Sequence, residues 1–240
     1  KLMATGGMFT PTANPRTVQY PVETLTAAVR EAERLGLPVA AHTLSAAGIR
    51  DCVEAGIHHL IHARWYSADP AKGLEYDPAL ADRITRSGLW VDITLGHMLL
   101  GRLAQEAGAP PPSTHWAVQA TPVPLEDHLE TARDMRARGI RFTTGLDMGM
   151  PHARFDGSAA NARAFGAWLQ YSPWEAIRAS TADSAEALGL GDAVGALRPG
   201  LIADLLAVAG DPARDLATLG TAVDVIRAGR PVKLGGRALI

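Results

Sequence analysis

Apolar β-type runs bounded by Gly or Pro alternate with stretches of helical periodicity along most of the chain, and no other feature narrows the fold as far. The pattern predicts strands over 2–5, 37–42, 59–63, 89–95 and 140–145. Helices are predicted over 22–35, 46–55, 78–87, 124–138 and 173–188. Strands joined by helices pair in parallel, because the helix returns the chain to the edge from which the last strand started. Gly36, Gly56, Gly88 and Gly139 each follow a helical segment where a left-handed C-cap is wanted. The links from these glycines into the next strand are short, and those leaving strand C-termini are longer. That asymmetry is what a (β/α)8 TIM-like barrel shows when its strand C-termini carry function, so an α/β barrel is the expected fold.

Two stretches break the alternation. Residues 96–123 hold Gly-Ala-Pro-Pro-Pro-Ser-Thr-His-Trp and Thr-Pro-Val-Pro, well beyond the usual connection of about 4–6 residues, and are expected to form a lid or a disordered loop. Past residue 188 the pattern turns to short β-like pieces, 203–208, 222–228 and 231–234, which predict a small β appendage. At 240 residues, 47% hydrophobic and 20% charged, the chain can bury a large core. Its formal net charge of −2, with signs mixed along the sequence, gives no footprint for nucleic acid or an anionic membrane, so a small molecule is the expected partner. The single cysteine, Cys52, excludes a disulfide framework or a thiolate cluster and suits a reducing cytoplasm.

Four predicted strand ends bear residues able to hold a metal. His42 closes Leu37-Pro-Val-Ala-Ala-His, and His62 closes His59-Leu-Ile-His one βα unit later. Asp147 follows Arg141-Phe-Thr-Thr-Gly-Leu, and Lys1 precedes Leu-Met-Ala-Thr-Gly-Gly. Two imidazoles, a carboxylate and an amine suit a hard-to-borderline cation, which would lower the pKa of a bound water toward about 7. Each residue also has an ordinary reading: a hydrogen-bonded core histidine, a helix N-cap carboxylate, a solvated lysine. His58 and His59 adjoin His62, and strict alternation puts His58 on one face with Leu60 and His62. Periodicity alone cannot choose the ligand; position at the strand end favours His62.

These residues resemble the amidohydrolase superfamily, in particular its prolidase-like and imidazolonepropionase-like branch. Lys1-Leu-Met-Ala-Thr-Gly-Gly is similar to the fourth-strand motif whose lysine is carboxylated and bridges two metals. Pro38-Val-Ala-Ala-His-Thr and Ala55-Gly-Ile-His-His-Leu-Ile-His resemble the fifth- and sixth-strand segments that each supply a histidine. Thr144-Gly-Leu-Asp-Met-Gly resembles the eighth-strand pattern whose aspartate binds metal and serves as general base. Thr181-Ala-Asp-Ser-Ala-Glu-Ala-Leu-Gly-Leu with Gly195-Ala-Leu-Arg-Pro-Gly-Leu-Ile-Ala-Asp-Leu resembles the family's junction between barrel and appendage. The resemblance implies barrel strands four to eight over 1–190 and part of a urease-like β-sandwich over 191–240. Three departures stand out. The first-strand His-x-His pair is absent, since the chain opens at the fourth strand in mid-strand, and residues upstream are expected. Ile61-His-Ala-Arg64 replaces the usual Glu-His-Gly and sets a cation where the family keeps glycine, so Arg64 either binds a substrate carboxylate or makes a surface ion pair. His42-Thr-Leu-Ser lacks the aromatic of the dipeptidase members, so proline-dipeptide specificity does not carry over.

What the resemblance implies is hydrolysis of a C–N bond in a small substrate, with Lys1, His42, His62 and Asp147 holding divalent metal, zinc by default and two ions per site. Asp147 is the implied general base. Arg64, His97, His115, Trp116 and His152 are candidate substrate contacts, with plain loop packing as the rival role for His97, His115 and Trp116. The missing His-x-His pair is expected from an upstream segment or a partner chain, and a homo-oligomer is compatible. Two alternatives stay open: a mononuclear deaminase or cyclic-amide hydrolase of the same superfamily, and a non-catalytic half-barrel paired with a partner through its open parallel edge.

Overall fold

The computed structural model describes residues 1–119 and 122–239, the side chains of 116 and 117 excepted. In chain order the elements begin with β1 (Leu2–Met3), α1 (Val22–Arg34), β2 (Ala40–Ser45), α2 (Ala46–Ala55), β3 (His59–Tyr66), α3 (Pro78–Ser87) and β4 (Trp90–Asp92). They continue with α4 (Leu95–Glu106), α5 (Trp116–Gln119), α6 (Leu125–Ala137), β5 (Arg141–Thr143), α7 (Ala159–Leu169), α8 (Pro173–Ser180) and α9 (Ala182–Ala187). Last come β6 (Leu205–Val208), β7 (Ala222–Arg227), β8 (Arg230–Leu234) and β9 (Arg237–Ala238). The chain divides into two compact units, Lys1–Ile93 with Pro112–Phe142 and Thr94–Pro111 with Thr143–Ile240.

Five strands form one sheet in the order β1-β2-β3-β4-β5, and the β1–β2, β2–β3 and β3–β4 pairs are parallel. The α/β class with a parallel sheet is as the sequence predicts. Local chemistry explains the helix ends. Ser45 caps α2 by accepting from the Gly48 N–H at 3.1 Å, and Asp77 caps α3 by accepting from Ala79 and Leu80, with Pro78 at the first helical position. Gly56 and Gly88 end those helices in the left-handed conformation, as their spacing suggests. Register rows give the sheet two faces. Ala41, Leu60 and Val91 share a row and are fully buried, as are Ile49, Cys52 and Ala81 of the helices. The opposite face carries Met3, His42, Ile61 and Asp92 in one row, and Lys1, Ala40, His59 and Trp90 two residues earlier. The core thus lies on the helix side, and the polar groups of the sheet lie on the other.

In the second unit, α4 and α7 pack together and β6–β9 form a four-stranded antiparallel sheet close to the predicted appendage pieces. The structure differs from the sequence reading in three places, one of them α7, an 11-residue helix in a stretch where the sequence reading assigns no element. Residues 95–106, expected to open a loop, form a three-turn helix whose first turn meets α7 so closely that a Cβ at Gly96 would lie 2.1 Å from Asn161 Oδ1. Periodicity there is obscured because Gly-His-Met-Leu-Leu-Gly reads as punctuation rather than as an amphipathic stripe. The single helix expected over 173–188 is broken at Thr181, whose φ of −130° and ψ of −88° end α8 and start α9.

Candidate metal centre

β2 delivers His42 to the polar face with 8% of its surface exposed, and its Nε2 lies 3.1 Å from the Gly6 carbonyl of the turn after β1. That turn needs glycine for space: a Cβ on Gly6 would stand 2.3 Å from the Asn14 carbonyl oxygen. Simple alternation would put His62 with Leu60 on the helix side, away from His42. The backbone prevents this. His62, Ala63 and Trp65 have φ of +74°, +42° and +60°, a left-handed run that L side chains rarely adopt. The β2–β3 pairing records the same event, passing from Thr43↔His62 to Ser45↔Tyr66, so that β3 carries two more residues than β2 across the bulge. The His62 ring, 7% exposed, meets the His42 ring edge-on with centroids 4.7 Å apart.

Lys1 is exposed on the same sheet face, one residue before the Leu2↔Ala41 pair and two before the Met3↔His42 row. Two residues of strand rise about 6–7 Å, a span a lysine side chain can bridge. His59, level with Lys1, has its pKa pushed down to about 4 by burial and by the Lys1 charge. His58 serves the backbone instead, its Nδ1 accepting the Val39 N–H at 3.1 Å. The ring that meets His42 belongs to His62.

Arg64 is 9% exposed, and its charge acts on Tyr66 and on His128 of α6. The residue directly after His62 is Ala63, and it is Ala63, not Arg64, that adopts the glycine-like backbone. Burial and Arg64 push His128 down to about 3, so it is neutral where its ring meets Tyr66 at 5.6 Å. His115 is buried in the first unit, and its backbone N–H donates to the Met8 carbonyl at 2.6 Å, tying its segment to the turn after β1. The Trp116 side chain lies outside the described residues. Asp147, His97 and His152 belong to the second unit. Asp147 is exposed with φ +55°, His152 has φ +66°, and His97 Nε2 lies 3.0 Å from the Pro151 carbonyl.

Two residues escaped the sequence reading. Asp92 is a buried carboxylate in the His42 row, signalled only by its place in the apolar run Trp90-Val-Asp-Ile. Trp65 is fully buried, and nothing in the sequence marks it apart from other core aromatics. Paired buried imidazoles, with a lysine on the same face, fit part of the donor set of a borderline divalent cation. Among the described residues no group of three or more His, Cys, Asp or Glu is gathered, and no helix is long and apolar enough to cross a membrane.

Comparison with known proteins gives the family of the chain. Residues 1–232 match the amidohydrolase family, and the chain belongs to it. It is 29% identical over 220 residues to ochratoxinase from Aspergillus niger, covering 90% of this chain and 42% of that protein. The ochratoxinase crystal structure superposes with a TM-score of 0.79 at 24% identity over 99% of this chain and 52% of the other. A putative prolidase from Bifidobacterium longum gives 0.78 at 27% identity over 99% and 56%. Phenylurea hydrolase B gives 0.72 at 25% identity over 90% and 47%. The chain thus spans about half the length of the relatives it matches. Members of this family generally bind divalent metal.

Proposed function

We propose that the protein hydrolyses a C–N bond, amide or peptide-like, in a small substrate, using divalent metal held by a carboxylated Lys1, His42, His62 and Asp147. The observation that carries this reading is the pairing of His42 and His62, two buried imidazoles in edge contact on the neighbouring strands β2 and β3, one of them aimed there by strained backbone. Zinc, two ions per site, is the default for such ligands. When bound, the metal supplies Lewis-acid activation of water and of the scissile carbonyl. The Asp147 carboxylate takes the proton of the attacking water and returns it to the leaving nitrogen. Arg64 offers a guanidinium to a substrate carboxylate, and His97, His115, Trp116 and His152 border the substrate on this reading. The architecture that goes with it is the C-terminal part of a (β/α)8 barrel over 1–190, with a urease-like β-sandwich segment over 191–240, in a cytoplasmic protein. An upstream segment or a partner chain contributes the remaining His-x-His pair.

The relatives support the bond class: one is named for ochratoxin, one as a prolidase and one for phenylureas. The test is elemental analysis of the intact protein, followed by a screen of amides, dipeptides and ureas. About two metals, lost together with hydrolysis in His42→Ala and His62→Ala by more than about a hundredfold, are expected, since even outer-shell partners of a metal are worth 10–100-fold. A metal content near one moves the reading to a mononuclear site. Full activity in both variants overturns it.

A further inference from the structure

The proposed ligand pair depends on a strained segment, and something must hold that segment in place. Three left-handed residues cost about 1–2 kcal/mol each, so the run His62-Ala63-Arg64-Trp65 persists only where its surroundings over-determine it. The strongest fixture is Trp65. Its side chain is fully buried, its indole N–H donates to Met135 Sδ at 3.3 Å, and its ring meets Tyr76 edge-on at 4.9 Å. Tyr76 is fixed in turn: its hydroxyl donates to Asp134 at 2.6 Å, and Arg138 joins Asp134 at 2.6 Å to Asp82 of α3 at 2.7 Å. The following residue is held separately. Tyr66 lies under the Arg16 guanidinium at 4.9 Å, and Arg16 donates to the Ser67 and Gly73 carbonyls. The Trp65 carbonyl accepts the Glu75 N–H at 2.8 Å. The bulge therefore ends in a residue locked between Met135 of α6 and Tyr76 of the segment leading into α3, three positions from His62.

We propose that Trp65 is the positioning residue for His62: clamped by Met135 and Tyr76, it holds the left-handed segment that turns the His62 ring out of strand alternation and onto His42. The assignment builds on the reading of His42 and His62 as metal ligands, but the orientation it describes exists without metal. A core tryptophan with only a packing role would not respond to the stereochemistry of Ala63, and that separates the two roles.

The test is made on the full chain with Trp65→Phe, which keeps an aromatic ring and removes the N–H donor, and with Met135→Leu, which keeps the indole and removes its acceptor. Imidazole 15N–1H spectra of the metal-free protein report the His42–His62 contact directly. Both variants are expected to move the resonances of both histidines. They are also expected to weaken Co2+ binding, followed by visible absorption, by about tenfold. Adding Ala63→Gly, which makes the left-handed backbone inexpensive, is expected to bring the resonances back and restore Co2+ affinity to within about threefold of the parent. Unchanged histidine resonances in both folded variants overturn the proposal, and so does a shift that Ala63→Gly fails to reverse. If the resonances behave as expected while Co2+ spectra are indifferent to His42→Ala and His62→Ala, Trp65 keeps its role and the metal reading falls.

Discussion

Where the helices of the first unit hand over to the strands, the left-handed positions are glycines: Gly36, Gly56, Gly88 and Gly139, with φ from +68° to +83°. Where β3 leaves the sheet at its other end, the left-handed positions are His62, Ala63 and Trp65. Thr94 after β4 and Asp147 after β5 share that property in the second unit. The glycines are not there for lack of room. A Cβ at Gly36 would meet nothing within 4 Å, and at Gly56 it would make an ordinary 3.9 Å contact with Val29. One end of the sheet meets a geometric demand with the residue that satisfies it at least cost. The other meets it with side chains that cost about 1–2 kcal/mol apiece in backbone strain, a sizeable share of a net stability of about 5–15 kcal/mol. The difference separates an end selected for folding from an end where particular side chains must point in particular directions.

The largest change should come from reversing the pattern at Gly6, a glycine that stands at the functional end because of space rather than dihedral angle. Gly6→Ala drives a methyl group into the Asn14 carbonyl at 2.3 Å and displaces the carbonyl that faces His42. A loss of about 1–3 kcal/mol is expected in denaturant unfolding, accompanied by a shift of the His42 imidazole resonances. A Gly6→Ala protein as stable as the parent would mean that this turn is no more constrained than those at the opposite end.

Acid should loosen the functional end first. The unfolded chain protonates His128 near 6.5, whereas the fold holds its pKa down at about 3, through burial and Arg64. Between those values the unfolded state binds more protons, so the stability present above pH 6.5 is lost as pH falls toward 3. His128→Gln should leave stability at pH 7 within about 1 kcal/mol, the size of one ring contact, and flatten its decline between about pH 6 and pH 4. Parallel urea-midpoint curves for the two proteins would remove His128 from this account.

Much of the first unit was legible in the sequence because its cues are local. Glycine C-caps, the Ser45 and Asp77 N-caps and the apolar strand runs each act within a few residues, and they mark the helices and strands nearly where they occur. Helix α4 was missed because its packing partner, Asn161 against Gly96, is 65 positions away and leaves no amphipathic stripe. The candidate ligand His62 was found by its place at a strand end, but its direction was not readable. Alternation points the ring to the wrong face, and the bulge that corrects it ends at Trp65, whose partners Met135 and Tyr76 lie outside β3. Arg64 was read as occupying a glycine position for the same reason, since the left-handed angles fall on its neighbours.

The smallest effect separates the two ends most sharply, through a pair of opposite substitutions. Gly56→Ala installs a Cβ at φ +80° with space around it, so the expected loss of about 1–2 kcal/mol is backbone strain alone. Ala63→Gly removes strain of the same kind at φ +42°, but frees the unfolded chain by about 0.5–1 kcal/mol. The two contributions oppose each other, and the net change should be under about 1 kcal/mol in the direction of greater stability. Both follow from urea titrations with the m-value unchanged, because neither alters the surface exposed on unfolding. Should Ala63→Gly destabilise as much as Gly56→Ala, residue 63 carries no strain in the fold, and the left-handed run would be an ordinary bulge rather than a conformation held against its own preference by Trp65.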